Sequence, residues 1–469
     1  MTQPSFFPCR AAHALAQREW GVRHVPWGSA RGLLAATLAA CLLTACGGGT
    51  LDPHFTPTNS QASGEGTATR LTGTFVDSPV SGLSYVTSSG ISGVTDAQGH
   101  FQFQAGDTIT FRIAGVDLGT IPAGTTLTPA SLAGGDEDSA RFSNLLVMLQ
   151  SLDTDGDPSN GITLNPEWPT SQVRDIVALL DADPIDFADG GYNVGLQSLA
   201  AGGYIRSPEE ATRHYASAMA LLDPFLGEAA GVWQATGDDG TAYVLRLSTS
   251  GRYVLASAQA ASPSGSGVSV GRWARDPQGQ WAVQEVKLDT RSTPVASGLQ
   301  AGESLGLQLL RGAQGAAQDQ LVLQRTLAPW GLVFHRAAQS ADLVGAWSTT
   351  PELKPGSLTL LFGEPDAQSG QGTVTVLDPE GDLSCEPGGL PIPGVELGVF
   401  VQDANALSFQ MPTVDTNGCS GISNGHSPIG PLVYTVSPDG ATLTLILPAP
   451  DGSGLDPSPV TLYRLGRQP

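Results

Sequence analysis

The stretch LDTDGDPSNGITL, residues 152–164, gathers the densest set of potential ligand atoms in this sequence. Asp153, Asp155, Asp157 and Asn160 alternate along it as oxygen donors do in calcium loops, where closely spaced carboxylates need a cation to offset their repulsion. Counted from Asp153, a twelve-residue calcium loop requires glycine at position six and glutamate at position twelve. Here those positions are Pro158 and Leu164. The same residues also suit a polar turn that ends a helix, with Asp and Asn side chains accepting from backbone amides. Both readings stand on sequence alone: a structural Ca2+ held by Asp153, Asp155, Asp157 and Asn160, or a turn. Nothing beside the loop looks like a nucleophile, so a bound ion would serve structure.

Other patterns offer less chemistry. GVSVG (267–271) and GISNG (421–425) both match G-x-S-x-G. A nucleophile elbow needs a strand, that turn and then a helix, with an acid and a histidine following in order. Both matches lie among short strands and glycine-rich turns, and neither is followed by that order. His54, His100, His214, His335 and His426 are scattered, with no H-x-x-x-H or H-E-x-x-H spacing. No phosphate loop or dinucleotide fingerprint occurs. No catalytic residue is assigned, and the expectation is a protein that is not an enzyme.

The N-terminal region carries an address. GLLAATLAACLL, residues 32–43, is uncharged and follows Arg23 and Arg31. It is too short for a span, which needs ~20 apolar residues, but suits the apolar region of an export signal. Leu43-Thr44-Ala45-Cys46 then resembles the lipobox of bacterial lipoproteins. That resemblance implies acylation of Cys46, with a palmitate-type lipid, and loss of residues 1–45. Gly47 stands where Asp is the usual inner-membrane retention residue, so the implied location is the outer membrane. The region before Arg23 is long for such a leader, and Val22 or Val25 would serve as a start.

Charge and cysteine count narrow the partners. The chain has 22 basic and 44 acidic residues, a net charge of −22. The leader holds four arginines against one glutamate, so its removal leaves a chain more acidic still. Such a surface repels nucleic acid and anionic head groups, so no nucleic-acid partner is expected. With Cys9 and Cys41 in the leader and Cys46 lipidated, Cys385 and Cys419 remain. Two cysteines in an oxidising compartment most simply pair. Their loop of about 34 residues would contribute roughly 3–4 kcal/mol in the chain-entropy view.

The elements that must position these residues are mostly short strands, as 59 glycines and 34 prolines suggest. Residues 46–68 hold few apolar side chains and read as a flexible tether. From there to about Leu127, Val/Phe/Ile/Tyr runs alternate with turn signals. Asp96-Ala97-Gln98-Gly99 is a tight turn that sends Phe101 and Phe103 to one face. TDAQGHFQF resembles the hairpin of transthyretin-like and carboxypeptidase-regulatory-like β-sandwiches. Helices follow: Phe142, Leu145, Leu146 and Leu149 share a face, residues 171–181 carry Val173, Ile176, Val177 and Leu180, and Ser207-Pro208-Glu209-Glu210 opens a third.

Beyond residue 229 the chain repeats itself. GVW (231–233) matches GAW (345–347), and GVSVGRW (267–273) matches GVELGVF (394–400). Each unit then gives Asp-Thr followed by Ser-Gly, in LDTRSTPVASGL and VDTNGCSGIS. The G-x-W opening resembles that of small lipocalin-like antiparallel barrels, with Trp233 and Trp347 plugging a core rather than lining a cavity.

The expected fold is therefore mainly β and multi-domain. It comprises a signal peptide (1–45), a tether (46–68), an Ig/transthyretin-like β-sandwich (69–130), a small helical region (131–228) and two tandem antiparallel β-barrel-like repeats (229–340 and 341–469). The modular arrangement resembles adhesin-like surface lipoproteins. It implies a non-enzymatic, lipid-anchored outer-membrane protein that binds a protein, glycan or small molecule. The alternative is a carrier holding a small apolar or sugar ligand in the C-terminal repeats.

Overall fold

The computed structural model describes residues 69–466 except 262–264, 277, 292–297, 314–318, 327–330, 341, 352–355, 382–391, 405, 419–420, 424–429 and 447–458. Cys46, Cys385 and Cys419, and with them the expected lipidation and disulfide, lie outside the described residues. Within them the protein is mainly β, with two closed eight-stranded antiparallel barrels following a sandwich-and-helix region.

Eight short strands open the fold: β1 (Leu71–Phe75), β2 (Val80–Ser81), β3 (Ser84–Thr87), β4 (Ser92–Val94), β5 (His100–Phe103), β6 (Thr108–Ile113), β7 (Val116–Pro122) and β8 (Thr126–Leu127). They form one sheet in the order β5-β1-β8 and another in the order β4-β3-β6-β7. The Asp96 carboxylate ties the turn before β5 by accepting from Gln98 N at 3.0 Å and His100 N at 2.8 Å. Period-two alternation then buries Phe101 and Phe103. The sheets meet edge-to-face through aromatics, Phe75–Phe111 at 5.0 Å and Phe101–Phe111 at 5.4 Å between centroids.

Seven helices follow: α1 (Pro129–Leu132), α2 (Ala140–Ser151), α3 (Thr170–Val177), α4 (Pro184–Ala188), α5 (Val194–Leu199), α6 (Pro208–Leu222) and α7 (Pro224–Ala229), with β9 (Ile162–Thr163) pairing parallel to β2. Side-chain caps set their starts. Ser139 Oγ accepts from Phe142 N, and Ser207 and Glu210 close a reciprocal capping box. Leu145, Leu146 and Leu149 of α2 join Phe75, Phe101 and Phe111 in one hydrophobic core. Sandwich and helices thus share a single interior.

The first barrel runs in chain order: β10 (Gly231–Thr236), β11 (Ala242–Leu247), β12 (Arg252–Ala258), β13 (Gly267–Arg275), β14 (Trp281–Asp289), β15 (Ser304–Leu310), β16 (Gln320–Arg325) and β17 (Gly331–Arg336). It closes where β17 returns to β10, with Trp233 opposite Arg336. The second uses β18 (Gly345–Ser348), β19 (Thr359–Phe362), β20 (Gln371–Asp378), β21 (Gly394–Asp403), β22 (Ala406–Phe409), β23 (Val414–Asp415), β24 (Leu432–Val436), β25 (Thr442–Ile446) and β26 (Val460–Arg464). Here β20 pairs with β21 and β26 with β18 to close the ring, while the short β23 extends the pairing of β21. Large aromatic side chains pack into each interior. Trp233, Tyr253, Trp273 and Phe334 occupy one; Trp347, Phe362 and Phe400 occupy the other, all fully buried.

The two barrels repeat one internal device. Trp233 Nε1 donates to Ala229 O at 2.8 Å, and Trp347 Nε1 to Leu343 O at 2.8 Å. Arg336 lies 4.0 Å over the Trp233 ring, and Arg464 4.0 Å over that of Trp347. Arg336 donates to Ala230 O and Glu228 O; Arg464 donates to the matching Val344 O and Asp342 O. This explains the glycine of each G-x-W. A Cβ on Gly231 would sit 2.6 Å from Arg336 Nη1, and one on Gly345 would sit 2.9 Å from Arg464 Nη1. Both glycines also hold positive φ, +136° and +125°. The Asp-Thr landmarks correspond as well: Thr290 Oγ1 accepts from Val268 N, and Thr416 Oγ1 from Val395 N.

The barrels are packed side by side. Outward-facing Val232, Val244, Val254, Ala256, Val268 and Val270 form one apolar cluster with Ala346, Leu361, Leu377, Val395, Val414 and Leu465. Arg246 enters this seam with only 2 % exposure, and its Nη1 donates to Ser357 O at 2.6 Å and Thr359 Oγ1 at 2.7 Å. Burial lowers its pKa to about 10.

Candidate functional site

The aspartate loop leaves the end of α2 and forms one wall of a cleft. Asp153 is buried, and its Oδ1 accepts from Thr163 N at 2.9 Å. Asp155 accepts from Asp157 N and from Asn160 Nδ2 at 3.0 Å. Asp157 accepts from Ser159 N and Oγ, starting the short 3-10 turn Pro158–Asn160. These carboxylates accept mainly from backbone amides of the loop and its neighbouring strand. Among the described residues no group of three or more His, Cys, Asp or Glu side chains is placed to hold a metal ion. The exception within the loop is Asp153 Oδ2, which is buried without a hydrogen-bond donor. Burial, reinforced by the neighbouring Asp155 carboxyl, pushes Asp153 up to about 6. The Asn160 amide holds Asp155 below the usual range, and Ser159 does the same for Asp157.

Opposite the loop stands the segment that leads into α6. The cleft between them has a volume of about 360 Å³ and is lined by Gln150, Ser151, Asp155, Gly156, Ala201, Gly202, Tyr204 and Arg206. Arg206 straps the walls together: its backbone N donates to Ser151 Oγ at 3.0 Å, and its Nη2 to Gly156 O at 2.8 Å. Tyr204 is held by its hydroxyl, which donates to both Glu210 carboxylate oxygens at 2.8 and 2.7 Å, leaving the ring at the rim. These residues lie some fifty positions apart in sequence, so no local motif announces them.

Behind the cleft lies a group that sequence reasoning missed. Gln150 Nε2 donates to both oxygens of the fully buried Asp77 at 3.2 Å and to Ala211 O at 2.9 Å. Burial drives the Asp77 carboxyl well above its usual range. Ser78 beside it has φ of +64°, and its Oγ lies 3.0 Å from His214 Nε2. A strained serine against a histidine invites comparison with a nucleophile and its base. The same Nε2, however, lies 3.2 Å from Asp77 O. A carbonyl only accepts, so Nε2 carries its proton and donates to both oxygens. In that tautomer it cannot take the Ser78 proton. The contact pins the turn between β1 and β2.

The second barrel holds a further buried polar cluster. Glu396, with no exposed surface, accepts from Ile422 N at 2.5 Å and from Ser423 Oγ at 3.0 Å. Ser423 Oγ also reaches Asp415 Oδ2 at 3.2 Å. Ser423 is the central residue of GISNG, and its hydroxyl is engaged by these two carboxyls. Burial pushes Glu396 up to about 8 and raises Asp415. In the first barrel the matching inward positions carry Ser269 and Asp289, which stand opposite each other as Glu396 and Asp415 do. Ser269, the centre of GVSVG, lies within β13.

The stacked Arg336 and Arg464 were also not foreseen. Their signal was present: each repeat ends with an aromatic-flanked arginine, FHRAA (334–338) and LYRLG (462–466), which aligning the two repeats from their G-x-W would have exposed. No protein-family model, curated protein or solved structure matches this chain.

Proposed function

We propose that this protein is a lipid-anchored component of the outer membrane that works by binding, as an adhesin-like module, and not by turnover. The aromatic packing of the barrel interiors carries this reading. Trp233, Tyr253, Trp273 and Phe334 in one barrel, and Trp347, Phe362 and Phe400 in the other, occupy the space a carried ligand would need. The barrels then act as rigid mass, held together by the Arg246 seam, and contact with a partner falls to surfaces and clefts outside them. The Ser78–His214 contact supports a binding role, since His214 Nε2 donates to Ser78 Oγ and to Asp77 O and so does not serve the serine as a base.

The test pairs attachment with mass. Cells expressing the full chain should adhere to a native host or biofilm matrix, and deletion of the gene should abolish that attachment. The protein released in mild detergent should give a native mass equal to polypeptide plus lipid. An organic molecule retained through native ionisation, and lost from a Trp233→Ala or Phe400→Ala protein, would overturn the binding-module reading in favour of a carrier.

A further inference from the structure

From the cleft between the aspartate loop and the 201–206 segment, we infer a binding subsite for a neutral saccharide unit, with Tyr204 as its stacking platform and Asp155, Arg206 and Gln150 as its polar contacts. The inference rests on the proposed binding role and names the ligand class. Its volume, about 360 Å³, falls in the range of small-molecule sites, roughly 300–1,000 Å³.

Three observations select the chemistry. Tyr204 is a large aromatic left 55 % exposed, yet its hydroxyl is fixed by Glu210, so the ring is presented in one orientation without further ordering cost. The cleft sets an acceptor, the Asp155 carboxylate, near a donor, the Arg206 guanidinium. Hydroxyl groups both give and accept, and are served by such a pair. A bare cation would meet Arg206, while an anion would meet Asp155 and a chain of net charge −22.

The third observation is an unspent acceptor. Gln150 lines the cleft and is 1 % exposed; its Nε2 is fully used by Asp77 and Ala211, but its Oε1 has no hydrogen-bond partner. A buried acceptor left unmade is costly, and a ligand hydroxyl donating to it would recover that cost. The walls are set before a ligand arrives. Arg206 bridges Ser151 and Gly156, and a Cβ on Gly156 would already come within 3.3 Å of Ala201.

The experiment is saturation-transfer-difference NMR on the full chain in mild detergent. The probes are cellobiose, maltose, lactose and chitobiose, with spermidine and calcium chloride as controls for a cation site. At least one disaccharide should show transfer, strongest on the ring face. Tyr204→Ala should weaken its binding at least tenfold with thermal unfolding unchanged, while Tyr204→Phe should stay within about threefold of the parent. Transfer that survives in Tyr204→Ala, or a Phe variant as weak as Ala, would overturn this site while leaving a saccharide-binding module elsewhere. A response to spermidine or calcium alone would overturn the saccharide class. No response to any probe, with cell attachment intact, would overturn the inference and leave the adhesin-like reading standing. Loss of both would overturn the two together.

Discussion

Replacing Glu396 with glutamine should remove a pH dependence built into the second barrel. Burial holds this carboxyl at about 8 in the folded protein, against an ordinary value of 4.5. It therefore keeps its proton across neutral pH, whereas the unfolded chain gives its proton up above about 4.5. A group raised in this way lends stability fully below the unfolded value and withdraws it as pH rises through the folded one. At 1.36 kcal/mol per tenfold in proton activity, the full swing is ~5 kcal/mol, of which about 3 kcal/mol falls between pH 5.5 and 8.0. Asp415 and Ser423 remain in both proteins, and glutamine can still accept from Ile422 N. Urea unfolding at pH 5.5 and 8.0, followed by tryptophan fluorescence, should show the parent losing about 3 kcal/mol more than Glu396→Gln. Equal losses in the two proteins would refute the reasoning and would mean that Glu396 is ionised within the barrel.

Three further outcomes follow from the geometry. Arg336→Ala leaves Ala230 O and Glu228 O without their donor and uncovers Trp233, so unfolding free energy should fall by about 3 kcal/mol or more; a loss below about 1 kcal/mol would show that the stack is ornamental. Cys46→Ala should move the protein from the outer-membrane fraction to the soluble periplasm, and an unchanged distribution would remove the lipid anchor from the reading. Chelator should leave the melting temperature unchanged, because the carboxylates of the aspartate loop are already engaged by amides; a drop of more than a few degrees, restored by calcium, would return a metal to Asp153, Asp155 and Asp157.

Elements with local rules were legible in the sequence. The Asp96–Gly99 turn and the Ser207–Glu210 capping box both follow from residue type and spacing within a few positions. The repeats were legible because G-x-W and Asp-Thr recur in one order; the reason for each lies elsewhere in the fold, an arginine passing under the glycine and a threonine hydroxyl taken by the facing strand. What the sequence concealed was every contact between distant segments. The cleft pairs 150–156 with 201–206, Asp77 meets Gln150, and Ser78 meets His214 across 136 positions. The aspartate loop was visible as a cluster, but its composition served a turn and a metal equally well.

The seam between the barrels has a consequence for how the pair arose and how it is free to change. Equivalent strands face one another: β10 to β13 of one barrel supply Val232, Val244, Val254 and Val268, and β18 to β21 of the other supply Ala346, Leu361, Leu377 and Val395. Val232 and Ala346 occupy the same place after the G-x-W glycine, Val268 and Val395 the same place in their strands, and Ala337 and Leu465 each follow the stacked arginine. The same patch of each repeat therefore faces the seam. In the tandem, linkage replaces concentration as the force that holds two equivalent patches together. A true dimer must accept every substitution twice. Here one copy can change alone, and Glu396 facing inward where its twin keeps Ser269 is such a change.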